Sequence, residues 1–225
     1  MIVPLLLFAL HAPVAPTACD ASVPSLGAAS QATPTRGAPA DTALAALYAS
    51  GQDFETFLAG ARARRVMWLR HAEDAVVPAD VLARAQAIPG RWRVLVVAVD
   101  SCSDSVNTIP YLARLVALVP ALEMRIVLPG PGRPVMEAHR TPDRRAATPT
   151  IVILDAEGRD VGCWVERPRA LQDQALAASA AGTSGEFLRN KQQWYDADAG
   201  ASTVREVVQV LEAAAAGTPR CWQGS

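Results

Sequence analysis

Residues 92–105 read Trp-Arg-Val-Leu-Val-Val-Ala-Val-Asp-Ser-Cys-Ser-Asp-Ser, and this stretch decides the fold. Its first eight residues are nearly all apolar and rich in valine, which is typical of a strand buried on both faces of a sheet. The following residues, 100–104, predict a turn, and a helix is expected to begin near Ser105. The stretch therefore predicts a core strand that ends just before a cysteine, Cys102, at the mouth of a helix.

Strands and helices alternate on either side of this stretch. A helix crosses from the strand at 92–99 to a strand at 122–128, so these two must be parallel, whereas the turn at 155–159 makes the last two strands antiparallel. The predicted fold class is α/β, with a mixed central sheet, helices on both faces and an N-terminal helical extension. Short apolar runs predict the remaining strands at Val66–Leu69, Leu122–Leu128, Thr150–Leu154 and Asp160–Val165.

Helices are expected from capping residues, apolar spacing and the prolines that end them. The segment Pro129–Pro134 is expected to break the chain between a strand and the helix after it. The predicted helices begin at Thr42, near Phe54, after Pro78, near Ser105, and at Val135, Glu186 and Ser202, and the last ends at Ala216.

The composition excludes several classes of protein. The chain has 225 residues, 51% of them apolar, which is enough to bury a core. Its 21 basic and 22 acidic residues nearly cancel, which argues against a nucleic-acid partner and against disorder along the whole chain. Four cysteines are too few for a small disulfide-stapled scaffold.

The N-terminus predicts export. Residues 1–18 are interpreted as a signal peptide, because 2–10 form an apolar run and 15–18 offer small residues for cleavage. Three prolines interrupt the segment, which favours a cleaved signal over a spanning helix of about 20 residues. Cys19 follows directly, as in a bacterial lipoprotein cleavage site, and is a candidate for lipidation that would tether the protein to a membrane. We therefore expect a periplasmic or otherwise extracytoplasmic protein, although the absence of Lys or Arg before the apolar run leaves a cytoplasmic location open.

The rest of the chain divides into three predicted parts. Residues 19–40 are rich in Ala, Pro, Ser and Thr and predict a flexible linker. Residues 41–217 contain all the predicted strands and helices and form one domain. Residues 218–225 are predicted to be a C-terminal tail.

Cys102 is the candidate nucleophile. Unpaired backbone N–H groups and the helix dipole favour negative charge at a helix N-terminus, so a thiol there tends towards the reactive thiolate. Ser105 stands where a Cys-x-x-Cys pair has its second cysteine, and it can donate a hydrogen bond to a thiolate but cannot resolve a mixed disulfide. Asp104 would oppose thiolate formation. The alternative is an inert buried thiol, and the spacing alone leaves both interpretations open.

A second feature is Thr148-Pro149-Thr150, which opens a strand after an arginine-rich loop. Proline is tolerated at the start of a strand, and X-Pro bonds are the common site of cis peptides. With these features the chain resembles the thioredoxin-like superfamily over roughly residues 53–215, in the bacterial branch with the motif Trp-Cys-Gly-Asp-Ser. The stretches that carry the resemblance are Leu95–Pro110, Leu122–Leu128, Ala147–Gly162, Arg167-Pro168, Trp194-Tyr195 and Val204–Leu211.

The resemblance implies a three-layer thioredoxin-like fold and a set of site residues. Cys102 would be the nucleophile, and a cis-proline at Pro149 would face its thiol, where Thr148 and Pro149 contact an extended substrate chain. Ser101 and Ser103 stand where the family has an aromatic residue and a glycine. These two serines are included among the expected substrate-binding residues, and the loss of the aromatic surface changes how a partner docks.

The other two cysteines leave alternatives open. A Cys102 thiolate would attack a disulfide to form a mixed disulfide, and release then requires an external thiol or another cysteine of the chain. In an exported protein, Cys163 and Cys221 could instead form a structural bridge, which we favour over a resolving role. In a cytosolic protein they would be two free thiols.

No cofactor or metal is expected, because no metal-ligand spacing occurs in the sequence. His71 and His139 are expected to be surface or loop residues. Gly130–Arg133 is a rigid turn without the pattern of a phosphate loop, and the Arg140–Arg145 cluster is expected to be a solvated loop.

Three functions remain as hypotheses. The first is a thiol-disulfide oxidoreductase with the Cys-x-x-Ser motif of Cys102 and Ser105, whose partners are protein or small-molecule thiols and disulfides. The second is a non-catalytic thioredoxin-fold protein that binds peptides or acts as a scaffold. The third is a thiol peroxidase or transferase that uses a small thiol such as glutathione. Fold alone does not decide among them.

Overall fold

The computed structural model describes residues 41–222, in which helices and strands follow one another in the order expected for an α/β protein. The predicted signal peptide, the linker and Cys19 lie outside this range. The helices are α1 (Thr42–Ser50), α2 (Phe54–Gly60), α3 (Arg65–Asp74), α4 (Ala79–Gln86), α5 (Ser103–Leu118), α6 (Pro129–Ala138), α7 (Arg169–Ala180), α8 (Ser184–Asp198) and α9 (Ala201–Ala215); the strands are β1 (Trp92–Val97), β2 (Leu122–Val127), β3 (Thr150–Leu154), β4 (Asp160–Val165) and β5 (Arg220–Cys221).

The strands form one mixed sheet in the order β2-β1-β3-β4-β5. Strand β1 is parallel to β2, and β3 runs antiparallel to both β1 and β4. These pairings confirm the predicted α/β class with a mixed sheet. The short strand β5 pairs in parallel with β4 and lies within the segment that the sequence suggested was only a tail.

Both faces of the sheet are covered, and β1 shows why. Val94 and Val96 belong to one hydrophobic cluster, which includes side chains from α2, α3, α4, α5 and α9. Leu95 and Val97 belong to a second cluster, which includes side chains from α1 and α6. Because alternate residues of a strand point to opposite faces, the continuous apolar run at 92–97 produces a three-layer structure.

The prediction of a strand at Val66–Leu69 is wrong, because these residues lie in helix α3. Trp68 and His71 are buried, whereas Val66 is 81% exposed and Leu69 is 44% exposed. Residues three apart share a helix face, so the buried pair follows helical spacing while the intervening apolar residues face solvent. A short apolar run without that periodicity could not distinguish the two structures.

The predicted break at Pro129–Pro134 is also wrong, because all six residues belong to helix α6. Pro129 and Pro131 lie in the first turn, where backbone N–H groups have no partner within the helix and their loss costs nothing. Gly132 packs directly against Val97, where a Cβ atom would lie 2.5 Å from a valine methyl group. Helix α7 was absent from the sequence-based prediction.

His71 is buried rather than exposed, and its position follows from a proline in the neighbouring helix. Pro110 lies inside α5 and has no N–H, so the carbonyl of Val106 loses the donor that the helix would normally provide. The Nδ1–H of His71 donates to this carbonyl at 2.9 Å and replaces the missing bond. Helices α3 and α5 are therefore joined by a hydrogen bond from His71 to a carbonyl that Pro110 leaves without a helical donor.

This arrangement predicts that the effects of changing His71 and Pro110 depend on each other. His71→Ala leaves a buried carbonyl unpaired, which costs about 1–3 kcal/mol of unfolding free energy in addition to the packing lost with the ring. In a Pro110→Ala background residue 110 regains its N–H, so the same His71→Ala change should cost less by roughly 1 kcal/mol or more. Urea unfolding of the four proteins measures this coupling, and equal costs in the two backgrounds would contradict the explanation.

Candidate functional site at the start of helix α5

The candidate site lies where the end of β1 meets the start of β3. Val97 pairs with Thr150, so the antiparallel register brings residues just after β1 next to residues just before β3. Cys102 is the N-cap residue of α5 and accepts a hydrogen bond at its sulfur from the Ser105 N–H at 3.4 Å. The peptide bond between Thr148 and Pro149 is cis, and the Thr148 carbonyl oxygen lies 3.2 Å from the sulfur.

The loop before Cys102 is held by the connection between α2 and α3. A carboxylate oxygen of Asp100 accepts from the backbone N–H groups of Arg62 and Ala63 at 2.8 and 2.9 Å. The Trp68 indole donates to the Asp100 carbonyl at 2.9 Å, and the Arg64 Nε donates to the Ser101 carbonyl at 2.8 Å. The sequence analysis missed these contacts because they join residues more than 30 positions apart.

Cys102 is disulfide-bonded. Two hydroxyl groups next to it have no hydrogen-bond partner within residues 41–222, namely Ser105 Oγ and Thr148 Oγ1. Both belong to residues whose backbone atoms contact the Cys102 sulfur. Neither hydroxyl is hydrogen-bonded to the sulfur in this structure; the contacts to the sulfur come from the Ser105 N–H and the Thr148 carbonyl.

The structure brings six of the predicted site residues together. Ser101 is partly exposed, and the other five residues are buried, namely Cys102, Ser103, Ser105, Thr148 and Pro149. A partner can therefore reach the sulfur only if the surrounding residues move.

Asp104, in the first turn of α5, is completely buried and has three partners. The Lys191 ammonium lies 2.9 Å from one carboxylate oxygen, and the Tyr195 hydroxyl donates to the other at 2.7 Å. Arg167 approaches the first oxygen at 3.4 Å. Burial alone would raise the pKa of Asp104, but Arg167 and Lys191 outweigh it and lower the pKa. Asp104 is thus a buried carboxylate.

A second carboxylate, Glu166, continues the network. It accepts hydrogen bonds from Arg145 at 3.1 and 3.0 Å and pairs closely with Arg167. Burial raises the pKa of Glu166, and the Asp104 charge adds to this effect, although Arg167 and Arg145 oppose it. The arginine-rich loop, which was expected to be solvated, therefore contributes Arg145 to a buried ion network.

Helix α8 covers the beginning of α5. Besides Lys191 and Tyr195, it provides Gln192, whose amide group exchanges two hydrogen bonds of 3.1 Å with the amide of Asn107. The sequence held one signal of this contact, since Lys191 is the only lysine of the chain and Asp104 is the only acidic residue of α5. Neither residue indicated its partner.

The other two cysteines lie away from this site. Cys163 on β4 and Cys221 on β5 form a disulfide that fastens the end of the described chain to the sheet. His139, which was expected to be exposed, is buried beside it. None of the helices within residues 41–222 is long and apolar enough to cross a membrane.

Comparisons with known proteins agree with this architecture. Residues 51–181 match the family model described as Thioredoxin. Among solved structures, a protein of unknown function from Pseudomonas aeruginosa, PA1234, is 26% identical with a TM-score of 0.56, over 76% of this chain and 97% of that one. An HIV epitope scaffold is 24% identical with a TM-score of 0.56, over 75% and 96% of the two chains, and this likeness concerns the fold alone. A comparison with curated proteins finds no significant match.

The ion network predicts a large cost for removing its single lysine. Lys191→Met keeps the length of the side chain but removes the ammonium from a carboxylate with no solvent exposure, so the unfolding free energy should fall by about 3–5 kcal/mol. Arg189→Met removes a charge from the exposed face of the same helix and should change stability by less than about 0.5 kcal/mol. Denaturant unfolding compares the two variants, and similar small effects would show that Asp104 does not depend on Lys191.

Proposed function

Because the chain belongs to the thioredoxin family, we propose that it is a thiol-disulfide oxidoreductase that acts through the sulfur of Cys102. The observation that carries this proposal is the position of that sulfur at the N-cap of α5, opposite the cis-proline Pro149. The Ser105 N–H points at the sulfur, and the partial positive charge of the helix N-terminus favours a thiolate there. The participation of Cys102 in a disulfide is consistent with this chemistry.

The reaction begins when the Cys102 disulfide is opened by an external thiol. The resulting Cys102 thiolate attacks one sulfur of a partner disulfide, a new S–S bond forms, and the other partner sulfur leaves as a thiolate. A second external thiol then attacks the mixed disulfide and regenerates Cys102. Ser105 provides no second sulfur, so the resolving thiol comes from outside this motif.

The two unpartnered hydroxyls have a role in this mechanism. In this proposal the two hydroxyls, Ser105 Oγ and Thr148 Oγ1, which have no partner in the disulfide-bonded protein, reorient to donate to the Cys102 thiolate and stabilise its charge. Pro149 and the backbone of Thr148 border the sulfur where an extended partner chain would lie. Ser101 and Ser103 form the small polar edge of the same groove.

An oxidising location is part of the proposal. The Cys163–Cys221 disulfide is typical of exported proteins, which agrees with the apolar N-terminus as an export signal. The partners are then protein or small-molecule thiols and disulfides outside the cytoplasm, and the reaction requires no cofactor.

One observation favours a second candidate, a non-catalytic protein that binds peptides or acts as a scaffold. Cys102 has no solvent exposure, and α8 is fastened over the first turn of α5 by Lys191, Gln192 and Tyr195. A sulfur that never becomes accessible in the native state would have a structural role only. Native reactivity therefore distinguishes the two candidates.

The oxidoreductase proposal predicts rapid alkylation of Cys102 in the native, reduced protein at pH 7, read by mass spectrometry of its peptide. A hydrogen bond to a charged group contributes about 1.5–3 kcal/mol, so Ser105→Ala should slow the reaction roughly tenfold or more. Ser179→Ala, the control, removes an exposed hydroxyl on α7 and should leave the rate unchanged.

The pH dependence separates thiolate stabilisation from access. At high pH, where the thiol is fully ionised in every variant, the rates for Ser105→Ala and the parent should converge. A difference that persists would mean that Ser105 controls access instead. If Cys102 reacts only after denaturation, the oxidoreductase proposal fails and the binding candidate stands.

A further inference from the structure

Four side chains that can ligate or orient a metal meet at the β4–β5 edge of the sheet. Cys163 and Cys221 are register partners on β4 and β5 and form a disulfide. The Nδ1 of His139 lies 3.5 Å from the sulfur of Cys221. The other ring nitrogen, Nε2, lies 2.7 Å from a carboxylate oxygen of Asp160.

The fold explains why these residues converge. His139 is the C-cap of α6, and Asp160 is the first residue of β4, three positions before Cys163. Helix α6 packs on the same face of the sheet as Cys163. The histidine ring therefore lies between a carboxylate on one side and two sulfurs on the other.

We propose that, when the Cys163–Cys221 disulfide is reduced, His139 and the two cysteines form a binding site for Zn²⁺. The Nδ1 atom and both sulfurs already lie within 4.8 Å of one another. Two thiolates and one imidazole are the soft and intermediate ligands that zinc prefers, and a water molecule completes four-coordinate geometry. The proposal uses none of the residues at Cys102 and does not depend on the proposed oxidoreductase function.

The Asp160 contact is the observation that favours zinc over two unliganded thiols. Metal-ligating histidines almost always donate their other ring N–H to a carboxylate, a carbonyl or water, which fixes the ring and makes it a better ligand. Here Asp160 occupies that position, and the remaining nitrogen is directed at the sulfurs. The His139 side chain is 8% exposed and Asp160 is 26% exposed, so the site is sheltered on one side and accessible on the other.

The strand that carries Cys221 is suited to the change between the two states. Strand β5 has two residues and pairs only at Gly162–Arg220 and Cys163–Cys221, supported by the hydrogen bond from the Trp222 N–H to the Cys163 carbonyl at 2.7 Å. The two sulfurs must separate before they can bind a metal. A short outer strand can shift by that amount while β1–β4 keep their pairing.

The chemical step is a balanced exchange with a dithiol. The dithiol gives two electrons and two protons to the Cys163–Cys221 bond, becomes a disulfide itself, and leaves two cysteine thiols. Zn²⁺ then binds the two thiolates, and two protons pass to solvent. Exchange with an external disulfide, which takes up the two electrons and becomes two thiols, reforms the Cys163–Cys221 bond and releases the metal, so metal binding reports the redox state of this edge of the sheet.

The test uses the full chain carrying Cys19→Ser and Cys102→Ser, so that only Cys163 and Cys221 can provide thiolates. The protein is reduced with a phosphine under anaerobic conditions and titrated with Zn²⁺ against a chromophoric chelator. We expect one Zn²⁺ per chain in the reduced protein and none in the oxidised protein. Co²⁺ should give the near-ultraviolet charge-transfer absorption of thiolate ligation.

Matched variants identify the ligands. In the same background His139→Ala should abolish tight binding, and Asp160→Asn, which keeps the side-chain shape, should weaken Zn²⁺ binding by roughly 10–100-fold. Glu157→Gln removes an exposed carboxylate from the same hairpin and should bind as the parent does. Circular dichroism checks that each variant is folded. If His139→Ala does not fold, the Zn²⁺ affinity of Asp160→Asn alone decides the test.

Two outcomes would overturn the proposal. One is a reduced, folded parent that takes up no zinc. The other is zinc binding that is unchanged in both His139→Ala and Asp160→Asn, which would show adventitious binding by two thiols.

Discussion

The Asp104 carboxylate has no contact with water, and the arrangement of the elements around it depends on that fact. Removing a carboxylate from water is costly unless charged and hydrogen-bonding partners compensate it. Lys191 and Tyr195 from α8, together with Arg167 from the segment after β4, provide this compensation. Because α8 lies 80 or more residues further along the chain, Asp104 joins the first turn of α5 to a helix that is distant in the sequence.

The same side chain affects the sulfur beside it. The negative charge of Asp104 would oppose a thiolate two residues away, but its ion pairs with Lys191 and Arg167 largely neutralise it. The N–H groups and the dipole of α5 are then free to favour a negative charge at Cys102. Helix α8 therefore has two opposing effects on thiolate chemistry. Its Lys191 offsets the Asp104 charge, which favours a thiolate at Cys102, but the helix also covers the first turn of α5, which limits access. An oxidoreductase with this structure must open the cover without exposing the ion network to water.

The parts of the fold that the sequence predicted are those that depend on local pattern. The strand predicted at 92–99, the helix that follows Cys102 and the strand after Pro149 each follow from residues within a few positions. The failures have equally physical causes. Val66–Leu69 is a continuous apolar run too short to show a periodicity that distinguishes a helix from a strand, and the prolines of α6 fall largely in its first turn, where helices tolerate them.

Long-range polar pairing was the part that could not be predicted. Pro110 indicates from the sequence alone that the Val106 carbonyl lacks a helical donor, but it does not indicate that His71 replaces it. Lys191 and Asp104 are each unusual for their positions, yet 87 residues separate them. Such pairs require the topology first, because only the packed helices show which polar groups come within hydrogen-bond distance.

The disulfide at the β4–β5 edge and the sulfur of Cys102 lie in different structural surroundings. Cys102 lies at a helix N-terminus, where backbone groups alone can stabilise a negative charge, so one sulfur is sufficient for exchange chemistry. Cys163 and Cys221 lie on neighbouring strands beside the C-terminal end of α6, and two thiolates formed there would repel each other. A bound dication would offset this repulsion, and the His139 imidazole, already oriented by Asp160, would provide the third ligand. Under the two proposals, one thioredoxin-like sheet has disulfide exchange at Cys102 and metal binding at its β4–β5 edge.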